Sequence, residues 1–178
     1  MNIFTFPLGL KQFYVRPDTS VSEGDSFYVP DGILNFSVVP LAYLKIERAG
    51  KSIGQKFAGR HYSCLGYGIH ICGENPVSLN SHGTGLSEQY KSVMYNSLDN
   101  STFLSKCTGR GQFDFNKYAN GLSSNDFDEM VERASQYLSL RTGDIISVEM
   151  PEIKHIDTRT HKSGEKISYG EIAISFIC

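Results

Sequence analysis

Three features of the chain predict a mainly β fold carrying a few short helices, an α+β protein. Short runs of β-branched and aromatic residues alternate with clusters of Gly, Pro, Asn and Ser. One long β-rich run covers residues 36–46. A single strong helical periodicity lies between residues 125 and 138.

Composition narrows the class further. The 178 residues carry 17 Lys+Arg against 19 Asp+Glu, with 40% hydrophobic and 20% charged side chains. That is a folded globular composition, not a disordered, collagen-like or coiled-coil one. A single domain over residues 1–178 is the expectation at this length. No apolar run approaches the roughly 18 residues of a membrane span. A formal charge of -2 leaves no basic stripe for counterion release, so nucleic acid is not expected as a partner. Residues 1–7 show neither a basic n-region nor a small-residue cleavage site, and are not read as a signal peptide. Cys64, Cys72, Cys107 and Cys178 form no Cys-x-x-Cys pair and are read as reduced thiols of a cytoplasmic protein.

Residues 1–30 read as short extended pieces. Phe13-Tyr14-Val15 is a strand stopped by Pro17, and residues 26–29 are a strand stopped by Pro30. Pro40 cannot donate a ladder bond, so the strand over residues 36–46 is at an edge or bulged there. Ala49-Gly50-Lys51 is a turn. Ser52 and Gln55 have capping-box spacing, which predicts a helix running through Phe57, His61 and Leu65 to Gly66 and Gly68. Residues 67–72 read as a buried strand and residues 73–85 as a loop. Leu86, Tyr90, Val93 and Met94 have weak helical spacing. Phe127, Met130, Val131, Ala134 and Leu138 share one helical face, with Asn125 or Asp126 as the cap. Arg141-Thr142-Gly143-Asp144 turns into a strand over 145–148. After Gly170, Ile172, Ile174 and Phe176 alternate with small residues as a last strand.

The common signatures of dinucleotide, phosphate, serine-nucleophile and zinc-protease sites are absent. His70, Cys72 and Glu74 would share one side of a strand, and imidazole, thiolate and carboxylate all bind zinc. The plainer explanation is core residues with satisfied hydrogen bonds. His155, Asp157 and His161 lie in polar surroundings and read as solvated. Gly109-Arg110-Gly111 reads as a turn, and Lys51, Lys56 and Arg60 as a solvated face.

Several segments together resemble the fumarylacetoacetate hydrolase family, in the branch of short bacterial members. Phe13-Tyr14-Val15-Arg16-Pro17-Asp18-Thr19 resembles the segment ending Lys-Pro-Asp-Thr, and Asp25-Ser26-Phe27-Tyr28-Val29-Pro30 the Phe-x-x-Pro strand after it. Residues 49–62 resemble the Gly-Lys turn and its helix. Gly68-Ile69 resembles the start of the metal-site strand. Leu140-Arg141-Thr142-Gly143-Asp144-Ile145-Ile146 resembles the Leu-x-x-Gly-Asp-Ile-Ile turn. The order of the pieces carries the likeness, which is patchy between residues 75 and 125.

The resemblance implies a mixed β-sandwich roll that forms homodimers. It also implies Mg²⁺ or Mn²⁺ held by carboxylates, with hydrolase, decarboxylase or isomerase chemistry on small oxo-acids. The sequence departs from that pattern at the chemistry. The family's Glu-x-Glu falls at Val39 and Leu41, and its following Asp at His70. Cys72-Gly73-Glu74-Asn75 stands for Thr-Ala-Arg-Asp, and Val148-Glu149-Met150-Pro151 for Thr-Gly-Thr-Pro. The N-terminal segment with its His–Glu pair is shortened away: no His or Glu precedes Tyr14.

A hard dication needs several oxygen ligands, and no carboxylate occurs between Asp31 and Glu47. The expectation is therefore a divergent, non-catalytic member with a degenerate metal site at Val39, Leu41 and His70, and no cofactor. One alternative is an active hydrolase, decarboxylase or isomerase using Mg, Mn, or Zn on His70, Cys72 and Glu74. Another is a small organic anion-binding protein using Arg16, Lys91 and Arg110.

Overall fold

The computed structural model describes residues 1–74 and 96–178. The helical spacing of Leu86, Tyr90, Val93 and Met94 therefore lies outside the described residues. In chain order the elements are β1 (Asn2–Pro7), β2 (Tyr14–Pro17), β3 (Ser26–Tyr28), β4 (Asn35–Lys45), α1 (Gln55–Ala58), β5 (Cys64–Gly73), β6 (Thr102–Leu104), β7 (Thr108–Gly109), α2 (Phe115–Tyr118), α3 (Ser124–Tyr137), β8 (Ile145–Glu149), β9 (Lys154–Asp157), β10 (Glu165–Tyr169) and β11 (Ile172–Ile177). The mainly β expectation with short helices holds. Two compact units emerge, Met1–Asp18 with Leu41–Gly68 and Ser105–Pro151, and Thr19–Pro40 with Ile69–Leu104 and Glu152–Cys178.

In the first unit β1 lies between the edge strand β2 and β8. It runs parallel to β8, with Ile3 opposite Ile145, and antiparallel to β2, with Ile3 opposite Arg16. Ile3, Phe4, Thr5 and Phe6 are all buried, so both faces of β1 are covered. Phe13 packs its ring on Phe4 and Phe6 at 5.7 and 5.2 Å between centroids. β2 continues through Pro17 instead of stopping before it. It is an edge strand, where a missing N–H costs no ladder bond.

Helix α3 buries Phe127, Val131 and Ala134 of the predicted stripe, whereas Met130 is half-buried and Leu138, past the end of the helix, is exposed. Its cap is Ser123, not Asn125 or Asp126. The Ser123 amide and hydroxyl both donate to the Asp126 carboxylate, at 2.7 and 2.6 Å. The expected helix from Ser52 to Leu65 is only the single turn α1. Ser52 takes a positive φ of 53°, and Gly54 starts the turn without a side-chain cap. Leu65 belongs to β5, because Cys64 and Leu65 pair with Gly109 and Thr108 of β7. The Asp144 turn is structural, as its position suggests: one carboxylate oxygen accepts from the Asn2 amide at 2.8 Å and the other from the Arg141 amide at 2.7 Å.

In the second unit β10, β11 and β3 form a three-stranded sheet. Phe27, Phe36 and Phe176 meet there at 5.2–5.6 Å between ring centroids. Ile33, Val38, Ile69, Ile71, Phe103, Ile156, Ile167 and Ile174 complete that core. β4 pairs with β9 from Asn35 to Val38 and with β8 from Leu41 to Lys45. Pro40 sits at the changeover, where neither ladder asks it for an N–H. The sequence expectation of an irregularity at Pro40 is met in this form. Among the described residues no helix is long and apolar enough to cross a membrane.

Candidate functional site

Side-chain alternation gives the second unit a polar sheet face. Phe36 and Val38 of β4, Ile69 and Ile71 of β5, Phe103 of β6 and Ile156 of β9 all enter the core. Their neighbours Ser37, Val39, His70, Cys72, Thr102 and His155 therefore project to the opposite face. Glu74 follows β5 in the same alternation, its amide donating to the Asn35 carbonyl at 2.8 Å.

Hydrogen bonds tie this face together. His70 Nδ1 and Thr102 Oγ1 lie 2.9 Å apart, both residues fully buried. Ser37 Oγ donates to Glu74 Oε1 at 2.7 Å, and His155 Nδ1 meets the same oxygen at 2.9 Å. Ser37 and His155 are direct cross-strand partners, so the β4–β9 register itself brings them to one carboxylate. An ionised carboxylate only accepts, which places the proton of this contact on His155 Nδ1. In the neutral ring Nε2 then carries the lone pair. The Glu74 and His155 side chains are 38% and 51% exposed, so a solute reaches them. The arrangement is an imidazole oriented by a carboxylate whose own rotamer a hydroxyl holds, a geometry suited to taking and returning a proton.

The sequence-derived residues fall in different places. Val39 is half-buried, whereas Leu41 and His70 are fully buried. Cys72 is half-buried. Glu74 carries Ser37 and His155 while His70 meets Thr102. Among the described residues no three His, Cys, Asp or Glu converge as a metal-ion group. Arg16 is 0% exposed. It lies close to Glu149, which also accepts from Tyr14 Oη at 2.5 Å. Burial pushes the Glu149 carboxyl up, against the opposing pull of Tyr14 and Arg16. Arg110 donates to the Asp128 carboxylate at 2.5 Å and lies over the Tyr62 ring. Lys91 lies outside the described residues.

His155 is exposed, as its surroundings suggest, but it stands on a strand and not in a loop, and His161 is not solvated. His155 stands on β9 and binds Glu74. His161 is 6% exposed on its side chain and packs edge-on against Phe176. The missed signal is the alternation of His155 and Asp157 with Lys154 and the buried Ile156. Asp157 is held at about 2 by two hydrogen bonds from the Arg159 guanidinium and one from its amide.

No family model matches the sequence, and comparison with curated proteins gives no match. Solved structures do match. The fumarylpyruvate hydrolase of Pseudomonas aeruginosa, in complex with Mn²⁺ and pyruvate, is 12% identical, with 99% of this chain and 89% of that chain covered and a TM-score of 0.70. A putative fumarylacetoacetate hydrolase family protein of Yersinia pestis CO92 is 12% identical, covered at 99% and 92%, with a TM-score of 0.67. The 5-carboxymethyl-2-hydroxymuconate delta-isomerase of Mycobacterium smegmatis is 11% identical, covered at 99% and 78%, with a TM-score of 0.72.

The Mn²⁺ in the Pseudomonas structure corrects the expectation of no cofactor, because a protein with this fold holds a divalent metal there. At the positions the resemblance assigns to ligands, however, the described residues do not fit a hard dication. Val39 and Leu41 offer no oxygen, and the His70 ring is engaged with Thr102. The strand order, the short helices and the full-length superposition lead to one conclusion: this chain has the fold of the fumarylacetoacetate hydrolase family.

Proposed function

We propose that the polar face of the second unit binds a small oxo-acid and moves a proton on it, the chemistry of an isomerase. One observation carries the reading: Glu74 Oε1 receives both Ser37 Oγ and His155 Nδ1, leaving His155 Nε2 as the available base. In this scheme Nε2 takes a proton from the carbon beside the substrate carbonyl. The imidazolium, stabilised by Glu74, returns that proton to another carbon. No other atom enters or leaves. The substrate class is supported by the fold, whose solved examples include the Pseudomonas hydrolase with pyruvate bound and a muconate isomerase. A cytoplasmic homodimer is part of the same proposal.

A second reading is an inert scaffold with this fold. The buried Leu41 and the apolar Val39 favour it, because they stand where the resemblance places metal carboxylates. Deuterium exchange separates the two. Purified protein in D₂O is incubated with pyruvate, 2-oxobutyrate and oxaloacetate, and loss of the C3 proton signal is followed by NMR. The isomerase reading expects exchange above the buffer rate for at least one acid, reduced about 100-fold or more in His155→Ala. Exchange at the buffer rate for all three, with no thermal shift by any, rejects it in favour of the scaffold.

A further inference from the structure

A separate chemistry is built into the first unit, where two of the four cysteines meet. β5 and β7 pair antiparallel with Cys64 opposite Gly109 and Leu65 opposite Thr108. Cys107 comes directly before β7 and so lies diagonally across from Cys64, whose direct partner is Gly109. Both thiols are free, Cys107 is a hydrogen-bonding neighbour of the Cys64 thiol, and Cys107 Sγ lies 3.6 Å from Tyr43 Oη. Tyr43 in turn donates to the Ser105 carbonyl at 2.6 Å, which fixes the wall of the site. Both cysteines are half-buried rather than sealed.

We propose that Cys64 and Cys107 are an exchangeable dithiol that closes to an intramolecular disulfide on reaction with a small external disulfide. The Cys107 thiolate attacks one sulfur of the external disulfide, whose S–S bond breaks and releases one thiol. Cys64 then gives up its proton and attacks Cys107 Sγ, expelling the second external thiol. Two protein thiols are oxidised to one disulfide, and one external disulfide is reduced to two thiols that carry the two protons away. The order follows from the surroundings. Burial, then the Cys107 hydrogen bond, push the Cys64 thiol up to about 12, so Cys64 is the poorer first nucleophile. Closure asks for a small backbone shift, and β7 is two residues long and followed directly by the Gly109–Gln112 turn.

The test uses the full chain incubated with oxidised glutathione, quenched with iodoacetamide and mapped by peptide mass spectrometry. The proposal expects one cross-linked peptide joining the segments that contain Cys64 and Cys107. It expects the same cross-link in the Cys72→Ser/Cys178→Ser variant. Cys64→Ser should stop at a glutathione adduct on Cys107. Separate adducts on Cys64 and Cys107 in the unmodified sequence, a bridge from either to Cys72 or Cys178, or no reaction at either thiol would each overturn it.

Discussion

Glu74 and His155 stand 81 positions apart in sequence and meet at 2.9 Å on one carboxylate oxygen, which Ser37 also occupies. The contact depends on strand register, since Ser37 and His155 are paired across β4 and β9. A one-residue slip of β9 would turn His155 away from Glu74. Replacing Glu74 with Gln keeps the shape and offers an amide in place of the charge that stabilises the imidazolium. Proton exchange on the responsive oxo-acid should fall about 10–100-fold, with little change in folding, as for other partners that orient a histidine. Ser37→Ala should cost less, about 10-fold or under, because it loosens the carboxylate and leaves its charge. Initial rates over a pH series check both.

Arg16 supplies the second prediction. It is a fully buried cation beside the part-buried Glu149. Arg16→Met removes the charge and leaves the carboxylate without it, so the unfolding free energy in urea should drop by about 3 kcal/mol. Adding Glu149→Gln should restore a substantial part. The sign of the pH effect follows from the raised Glu149 carboxyl. The folded state binds this proton more tightly than the unfolded chain. The cost is therefore fully present above the raised value and fades as pH falls toward the ordinary 4.5. Urea titrations of both variants at several pH values measure it.

At Gly66 a Cβ would run into the ring and hydroxyl of Tyr43, which is itself anchored on Ser105. Gly66→Ala should destabilise by about 1–3 kcal/mol, the range for overpacking a filled interior. Gly111→Ala, where a Cβ meets nothing within 4 Å, is the control and should be close to neutral. Thermal unfolding of the pair makes the comparison.

Asp157 offers a reading by NMR. Its carboxyl should titrate at about 2, held down first by the Arg159 side chain and then by the Arg159 amide. Arg159→Ala should return it most of the way to 3.8. The linked stability is present above the unfolded value and disappears as pH falls from about 3.8 to about 2.

Long or strongly patterned elements were legible in the sequence. β4 carries a dense β-branched and aromatic run, and the stripe on α3 repeats through Phe127, Val131 and Ala134. The Gly143–Asp144 turn follows from a glycine with φ +94° and a carboxylate that caps its neighbours. Short-range capping chemistry misled at two places. Ser52 has capping-box spacing but sits at positive φ, and the real box belongs to Ser123, two or three residues before the expected cap at Asn125 or Asp126. The surroundings of Arg16 were not legible, because an arginine defaults to solvent and only the fold supplies Glu149. The working face was the least legible. β9 is four residues long, too short for alternation to stand out, and His155 gains meaning only when Glu74 arrives from a distant strand.

The central claim is that the Glu74–His155 face is where this protein meets its small-molecule ligand. Backbone and histidine-ring chemical shifts recorded during a pyruvate titration address it directly. The account predicts saturable shifts at Ser37, Cys72, Glu74 and the His155 ring, abolished by His155→Ala. Saturable shifts confined to the first unit, or none at any of these residues, would contradict it.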